Sequence, residues 1–191
     1  MEKISVGFAL TGSYCTFEKA FEQIKMMSES DKWDILPILS ENAYCSDTRF
    51  GTAEENINIL EKMTGKKVLH TVPEVEPIGP QKMIDVLVVA PCTSNTLAKV
   101  ANGINDTAVT MAIKSQIRND KPVVLAISTN DALAAAARNI GQLLNQRNIF
   151  FVPMKQDDCI NKPRSVVADF SKIVPTIEAA LEGKQIQPIL L

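Results

Sequence analysis

The sequence has a single histidine, His70, and four widely separated cysteines. Zinc sites combine several histidine and cysteine ligands at short spacing, and disulfide frameworks occur in small secreted chains with paired cysteines. Cys15, Cys45, Cys92 and Cys159 form no CxxC motif. We therefore expect no metal site and no disulfide framework, and we predict a cytoplasmic protein with reduced thiols.

An excess of charge and a long apolar segment are also missing. The 20 Lys and Arg residues nearly balance 22 Asp and Glu residues, giving a net charge of −2. Strong long-range attraction to nucleic acid or to an anionic membrane is therefore not expected. No segment reaches the roughly 20 apolar residues of a membrane-spanning helix, and the start MEKISVGFAL lacks the pattern of a signal peptide.

Short apolar runs alternate with helical patterns along the chain. Five of these runs are typical of strands buried on both faces: KISVGFAL, WDILPIL, IDVLVVA, KPVVLAI and NIFFV. Parallel strands need crossover helices between them. The pattern predicts one α/β domain over residues 1–191, with helices on both faces of an open parallel sheet. DALAAAARNIGQLLNQ and SVVADFSKIVPTIEAALEG are predicted as the last two helical segments.

Three segments depart from this alternation. The prolines of HTVPEVEPIGPQK exclude a regular helix, and the polar stretch KQDDCINKPR predicts a loop after the last strand. The tail, residues 183–191, ends in Ile-Leu-Leu. We expect this tail to pack on the body of the protein or on a neighbouring subunit, because a free apolar end favours aggregation.

Hydroxyl side chains follow four of the five predicted strands, in LTGSY, LSENAY, APCTSNT and AISTND. Ligands of open parallel sheets bind at this carboxyl edge, where hydroxyls and helix-terminal N–H groups can hold a phosphate. Helix capping explains any one such loop equally well, but four loops at one edge favour a shared anionic ligand. GFALTGSY contains neither GxGxxG nor GK[ST], so a mononucleotide phosphate fits better than a dinucleotide, although Glu41 leaves an NAD ribose contact open.

The stretch APCTSNTLAKVANGIND, residues 90–106, resembles the PxTxNTxAKxAxGIxD signature of the flavin-binding cysteine decarboxylase superfamily. This resemblance spans roughly residues 3–155 and implies a flavodoxin-like, Rossmann-like three-layer fold, FMN binding and a homo-oligomer built on trimers. It places Thr11, Gly12, Ser13 and Ser40 at the phosphate, and Pro91, Thr93, Ser94, Asn95 and Thr96 along the ribityl chain and ring. It also places Ser128, Thr129 and Asn130 where those enzymes have a substrate-binding PAMN segment.

Two further inferences follow from that resemblance. Asn95 is the first candidate for a catalytic contact with the ring or substrate, because an amide both donates and accepts. The catalytic histidine of the decarboxylases is replaced by Pro77, and His70 lies seven positions earlier. Decarboxylation is therefore disfavoured.

Four further segments narrow the resemblance to B subunits of a sporulation oxidoreductase: PIGP, AISTNDAL, FFVPMKQDD and KQIQPILL. It implies a soluble enzyme in the mother cell of a sporulating bacterium, where a dehydrogenase-like A subunit carrying NAD(P) helps to oxidise a dihydropyridine dicarboxylate to pyridine-2,6-dicarboxylate. Two alternatives remain: a structural or regulatory partner with a vestigial flavin pocket, and an FMN-dependent decarboxylase using His70.

A dicarboxylate substrate requires cations, and arginine pairs with carboxylate through two parallel hydrogen bonds. Lys162 and Arg164, after the fifth strand, are preferred for substrate binding over Lys99, Lys114 and Arg118. Cys92 lies near a predicted helix start, where a thiol can become nucleophilic, but apolar packing explains it better. The adjacent Asp157 and Asp158 are interpreted as loop solvation.

Overall fold

The computed structural model describes residues 3–191, and the apolar runs in that range form strands of one sheet. Five strands are parallel, in the order β2-β1-β3-β4-β5, and an antiparallel hairpin, β6 and β7, extends the sheet beyond β4. The strands are β1 (Ile4–Leu10), β2 (Trp33–Leu39), β3 (Val86–Cys92), β4 (Val123–Thr129), β5 (Ile149–Phe151), β6 (Met154–Asp158) and β7 (Lys162–Ala168).

Helices cover both faces of this sheet because its central strands are apolar on both sides. Every residue of β3 is buried. Alternate residues of the strands contribute to two hydrophobic cores, one on each face of the sheet. One core is completed by α1, α3 and α8, and the other by α5, α6 and α7. The helices are α1 (Phe17–Ser28), α2 (Glu41–Cys45), α3 (Ala53–Thr64), α4 (Val72–Val75), α5 (Ser94–Ala101), α6 (Ala108–Arg118), α7 (Ala137–Leu144) and α8 (Ile173–Leu181).

The predicted loop KQDDCINKPR is wrong, because these residues belong to the β6–β7 hairpin. β7 pairs antiparallel with the end of β4, where Ser128 lies opposite Val167 and Thr129 opposite Val166. Residues 165–168, predicted as the start of the last helix, are therefore strand, and α8 begins only at Ile173. The exposed side chains of β6 conceal its pairing from a hydropathy pattern, because an edge strand needs little apolar surface.

Two other boundaries differ from the predicted ones. α7 begins at Ala137 rather than Asp131, because the Leu133 N–H donates to the Arg164 carbonyl of β7 (3.0 Å) and leaves the helical path. The short helix α2 was not predicted. In the proline-rich segment the exclusion of a regular helix is confirmed, since α4 is a single turn with a capping box between Thr71 and Glu74.

The carboxyl-terminal tail lies along the start of β6. The Met154 N–H donates to the Ile189 carbonyl (2.9 Å), and the Leu191 N–H donates to the Met154 carbonyl (3.0 Å). The Gln185 side chain also bonds both backbone groups of Phe151. The tail is thus held on the hairpin side of the sheet.

Residues 1 and 2 of the predicted domain lie outside the described range.

None of the helices in residues 3–191 is both long and apolar enough to cross a membrane.

Candidate functional site

Two adjoining cavities open at the carboxyl edge of the sheet, where the strand order reverses between β1 and β3. The large cleft has a volume of about 750 Å³, and the small pocket beside it has a volume of about 310 Å³. Gly12 and Thr93, from the loops after β1 and β3, line both. The loops predicted to share one ligand therefore converge in space.

The small pocket collects polar groups from four elements. Ser40 and Thr107 are the N-cap residues of α2 and α6. The Ser40 hydroxyl accepts from the Ala43 N–H (3.4 Å), and the Thr107 hydroxyl accepts from the Thr110 N–H (3.2 Å). These two hydroxyls are thus partly occupied as caps. The remaining lining comes from Thr11, Gly12, Glu41, Asn42, Thr93, Asn95, Thr96 and Lys99.

The start of α5 retains unused hydrogen-bond donors. Thr93 is its N-cap residue, but the Thr93 side chain caps no helix N–H; its hydroxyl lies 3.3 Å from that of Thr96. The backbone N–H groups of Ser94, Asn95 and Thr96 and the side chains of Ser94 and Asn95 bond no other group among residues 3–191. A helix start carries partial positive charge, so this region can receive an anion.

Thr11 uses its hydroxyl for hydrogen bonds within the protein, and its predicted contact with the phosphate stays a prediction. Its side chain is buried, and its hydroxyl donates to the Pro91 carbonyl (2.8 Å) and accepts from the Thr93 N–H (3.0 Å). This residue therefore joins the end of β1 to the loop that starts α5. Pro91 is buried and lines neither cavity; its carbonyl accepts the hydrogen bond from the Thr11 hydroxyl.

The large cleft lies between the loops after β1, β3 and β4 and the β6–β7 hairpin. The hydroxyls of Ser13 and Ser128 are 2.8 Å apart on its wall. Thr129 donates to Asp131 (2.6 Å), and Asn130 is exposed. The cleft thus brings together the predicted residues of three loops: Ser13, Ser94, Ser128, Thr129 and Asn130.

The two predicted substrate cations separate in the structure. Lys162 lines the large cleft and donates to Asp157 (3.1 Å), and this hydrogen bond raises the pKa of Lys162. Arg164 is exposed and lies outside the cleft lining. Lys19 and Arg49 also line the cleft but were not predicted from the sequence. Ligands of such sheets bind in the connections after the strands. Arg49 belongs to the connection after β2, but it lies beyond α2 and not directly at the strand end.

The residues relevant to decarboxylation lie outside both cavity linings. His70 stacks on Tyr44, with ring centroids 3.5 Å apart, and its Nδ1 lies 3.3 Å from Glu74 Oε2 without a well-aligned hydrogen bond. Pro77 belongs to a 3₁₀ turn at Glu76–Ile78. His70 is therefore not positioned as an acid or base in either cavity, and Pro77 has no side chain that could serve as one.

Cys92 is a packing residue, which confirms the apolar interpretation. It is fully buried among the side chains between the sheet and α5, α6 and α7. Burial strongly raises the pKa of this thiol, so the nucleophilic thiolate is disfavoured.

Glu74 predicts a pH dependence of stability. Mainly because its carboxylate accepts from the His70 backbone N–H, its pKa falls from 4.5 to about 2. The stabilisation is complete above the unfolded pKa and disappears as pH falls towards 2. We expect Glu74→Gln to reduce the stability difference between these pH values by about 2 kcal/mol, measured by urea unfolding.

Glu55 provides the matched control for this measurement, since it forms the same capping box with Thr52 but is itself exposed. Glu55→Gln should change the acid dependence less than Glu74→Gln. Equal changes in the two variants would show that the bond to His70 contributes nothing beyond an ordinary capping box.

Comparison with known proteins identifies the class that this fold and site define. The family model described as flavoprotein matches residues 1–182, and the chain belongs to the flavoprotein family. The predicted α/β fold is confirmed, as a mixed but mostly parallel sheet with helices on both faces.

At a finer level, the chain is 42% identical over 186 residues to the B subunit of dipicolinate synthase from Bacillus subtilis (strain 168), covering 97% of this chain and 92% of that protein. The crystal structure of the B subunit of dipicolinate synthase from Bacillus halodurans superposes with a TM-score of 0.90 at 39% identity, covering 100% and 98% of the two chains. The narrower resemblance predicted from sequence is confirmed.

A more distant structure has the same fold with a flavin bound. Burkholderia xenovorans DmrB, solved in complex with FMN, superposes with a TM-score of 0.68 at 20% identity, covering 94% of this chain and 96% of that one.

Proposed function

We propose that this chain is the B subunit of a dipicolinate synthase that, together with a dehydrogenase-like A subunit, oxidises a dihydrodipicolinate-type precursor to dipicolinate in the mother cell of a sporulating bacterium. The 42% identity over 97% of the chain supports the assignment. The observation that carries a ligand-binding role is the start of α5, whose free donors face a cavity lined by the loops after three strands.

We further propose FMN as the cofactor, because the residues present fit its phosphate. The small pocket offers neutral hydroxyls and the N–H groups of α5, which together suit an anion. Gly12, Ser40, Asn95 and Thr96 would hold the phosphate, and Thr93 and Ser94 would lie at the passage to the large cleft. The adjoining volumes are within the range of cofactor sites.

When bound, FMN would supply an electron-accepting ring, while the protein orients the substrate. Aromatisation of a dihydropyridine removes a hydride equivalent from carbon and one proton; bound FMN, or a nicotinamide carried by the A subunit, would supply the acceptor for the two electrons. Ser13, Ser128 and Asn130 present hydroxyl and amide groups to the large cleft. In this proposal they position the substrate ring and its carboxylates.

A second candidate function is a non-catalytic partner of the A subunit. It is favoured because both aspartates of the large cleft are already hydrogen-bonded and are poorly placed to act as a general acid or base. Asp131 accepts from Thr129, and Asp157 accepts from Lys162. No histidine lines either cavity within the described part of the chain. In this alternative the nicotinamide-dependent partner performs the whole oxidation.

Assays of the two separate subunits and of the pair, with and without FMN, distinguish these functions. We expect the B subunit to bind FMN with a flavin absorbance band, and the pair to require FMN for dipicolinate formation. Full activity of the pair without flavin would favour the non-catalytic role, and release of CO₂ would favour a decarboxylase. Light scattering on the same samples tests the proposed trimer-based assembly.

A further inference from the structure

Three cationic side chains surround the large cleft, each from a different element. Lys19 comes from α1, Arg49 from the loop between α2 and α3, and Lys162 from β7. Lys162 already pairs with Asp157. Arg49 forms no salt bridge or side-chain hydrogen bond with any residue in the range 3–191. Lys19 is likewise without a partner among these residues, but of the two only the Arg49 guanidinium can bind a carboxylate through two parallel hydrogen bonds.

Arg49 is positioned by a tight turn. Thr48 and Gly51 exchange backbone hydrogen bonds of 3.0 and 3.2 Å, and the Phe50 N–H donates to the Thr48 hydroxyl (3.1 Å). The side chains of Arg49 and Phe50 both line the cleft, and the guanidinium lies over one face of the Phe50 ring, with its carbon 4.8 Å from the ring centroid. The other face of the ring remains for a ligand. Phe50 is 51% exposed, which is unusual for a large aromatic side chain.

This pair suits one class of ligand. A guanidinium binds a carboxylate through two parallel hydrogen bonds, and an exposed aromatic ring offers a flat apolar surface to a second ring. On the other wall, Lys162 has three donor hydrogens and can keep Asp157 while binding another anion. The cleft is therefore bordered by an aromatic face and three cations, Lys19, Arg49 and Lys162.

We propose that Arg49 binds one carboxylate of a planar pyridine dicarboxylate, that Phe50 packs against its ring, and that Lys162 binds the second carboxylate. This inference rests on the proposed function and assigns its substrate site to residues of the large cleft. Arg49 does not line the small pocket, so the flavin phosphate and the substrate carboxylate occupy separate places. Arg49 is thus a substrate-binding residue.

The test is titration of the full-length protein with pyridine-2,6-dicarboxylate by calorimetry, in buffer containing EDTA, both with and without bound FMN. Arg49→Ala should weaken binding of the dicarboxylate by roughly 10- to 100-fold. Arg49→Lys should recover only part of this loss, because an ammonium cannot form the paired bonds. FMN affinity, measured by absorbance on the same variants, should change by less than about threefold, which is under 1 kcal/mol.

Arg147, an exposed arginine outside the cleft lining, is the matched control, and Arg147→Ala should leave dicarboxylate binding unchanged. Equal affinity of Arg49→Ala and wild-type protein for the dicarboxylate overturns the inference, and normal FMN binding in that case leaves the proposed flavin site intact. If FMN does not bind, the flavin proposal fails, and the titration without FMN still decides the role of Arg49.

Discussion

Asn95→Asp is expected to weaken FMN binding by roughly 100-fold, since two like charges about 4 Å apart near a protein surface repel by several kcal/mol. Asn95 lies in the first turn of α5 and lines the small pocket. The new carboxylate would repel the phosphate and compete with it for the free N–H groups. Because an acidic residue stabilises a helix start, the variant should fold normally. Absorbance titration with FMN gives the measurement.

Riboflavin separates this phosphate effect from a general loss of the site. It lacks the phosphate, so its affinity for Asn95→Asp should fall much less than that of FMN. Asn145→Asp introduces the same charge on the loop before β5, at the opposite edge of the sheet, and should leave FMN binding unchanged. An equal loss for FMN and riboflavin would place the phosphate outside the small pocket.

Thr11→Val is expected to lower the free energy of unfolding by about 2 kcal/mol, because it leaves the partly buried Thr93 N–H without its partner. Valine keeps the shape of threonine but cannot accept from Thr93 or donate to Pro91. Because that bond fixes the loop before α5, FMN affinity should fall as well, although the Thr11 hydroxyl does not touch the phosphate in the proposed mode. Urea unfolding and FMN titration on the same protein measure both effects.

Thr176→Val is the matched control, since Thr176 is also fully buried and its hydroxyl donates to the Lys172 carbonyl (2.6 Å). That hydroxyl accepts from no N–H group among the described residues, so its removal leaves no donor without a partner. Thr11→Ser keeps the bonds and should retain FMN affinity. A similar loss of stability in the two valine variants would show that the bond to Thr93 has no special weight.

The parallel part of the fold was predictable from sequence because its strands are apolar on both faces. β3 is buried at every position, and continuous runs of this kind identify central strands directly. The hairpin was not predictable, since four of the five residues of β6 are not buried and the pairing of β7 with Ser128 and Thr129 is set by distant parts of the chain.

The candidate site was predictable at the level of loops but less so for individual side chains. Ser40 and Thr96 follow strands and reach the small pocket as expected. In contrast, the sequence around Thr11 does not reveal that its hydroxyl is consumed by the loop after β3, which is 80 residues away in the chain. Arg49 was missed because it lies beyond α2 in the chain, several residues after the end of β2.

The hairpin joins the sheet through few strand pairs but packs into both of its cores. β5 pairs with the first half of β4, and β7 pairs with only its last two residues. Met154 and Val166 are nevertheless buried on one face of the sheet and Ala168 on the other. The wall of the large cleft that carries Lys162 is therefore anchored to the parallel strands by side-chain packing more than by backbone pairing.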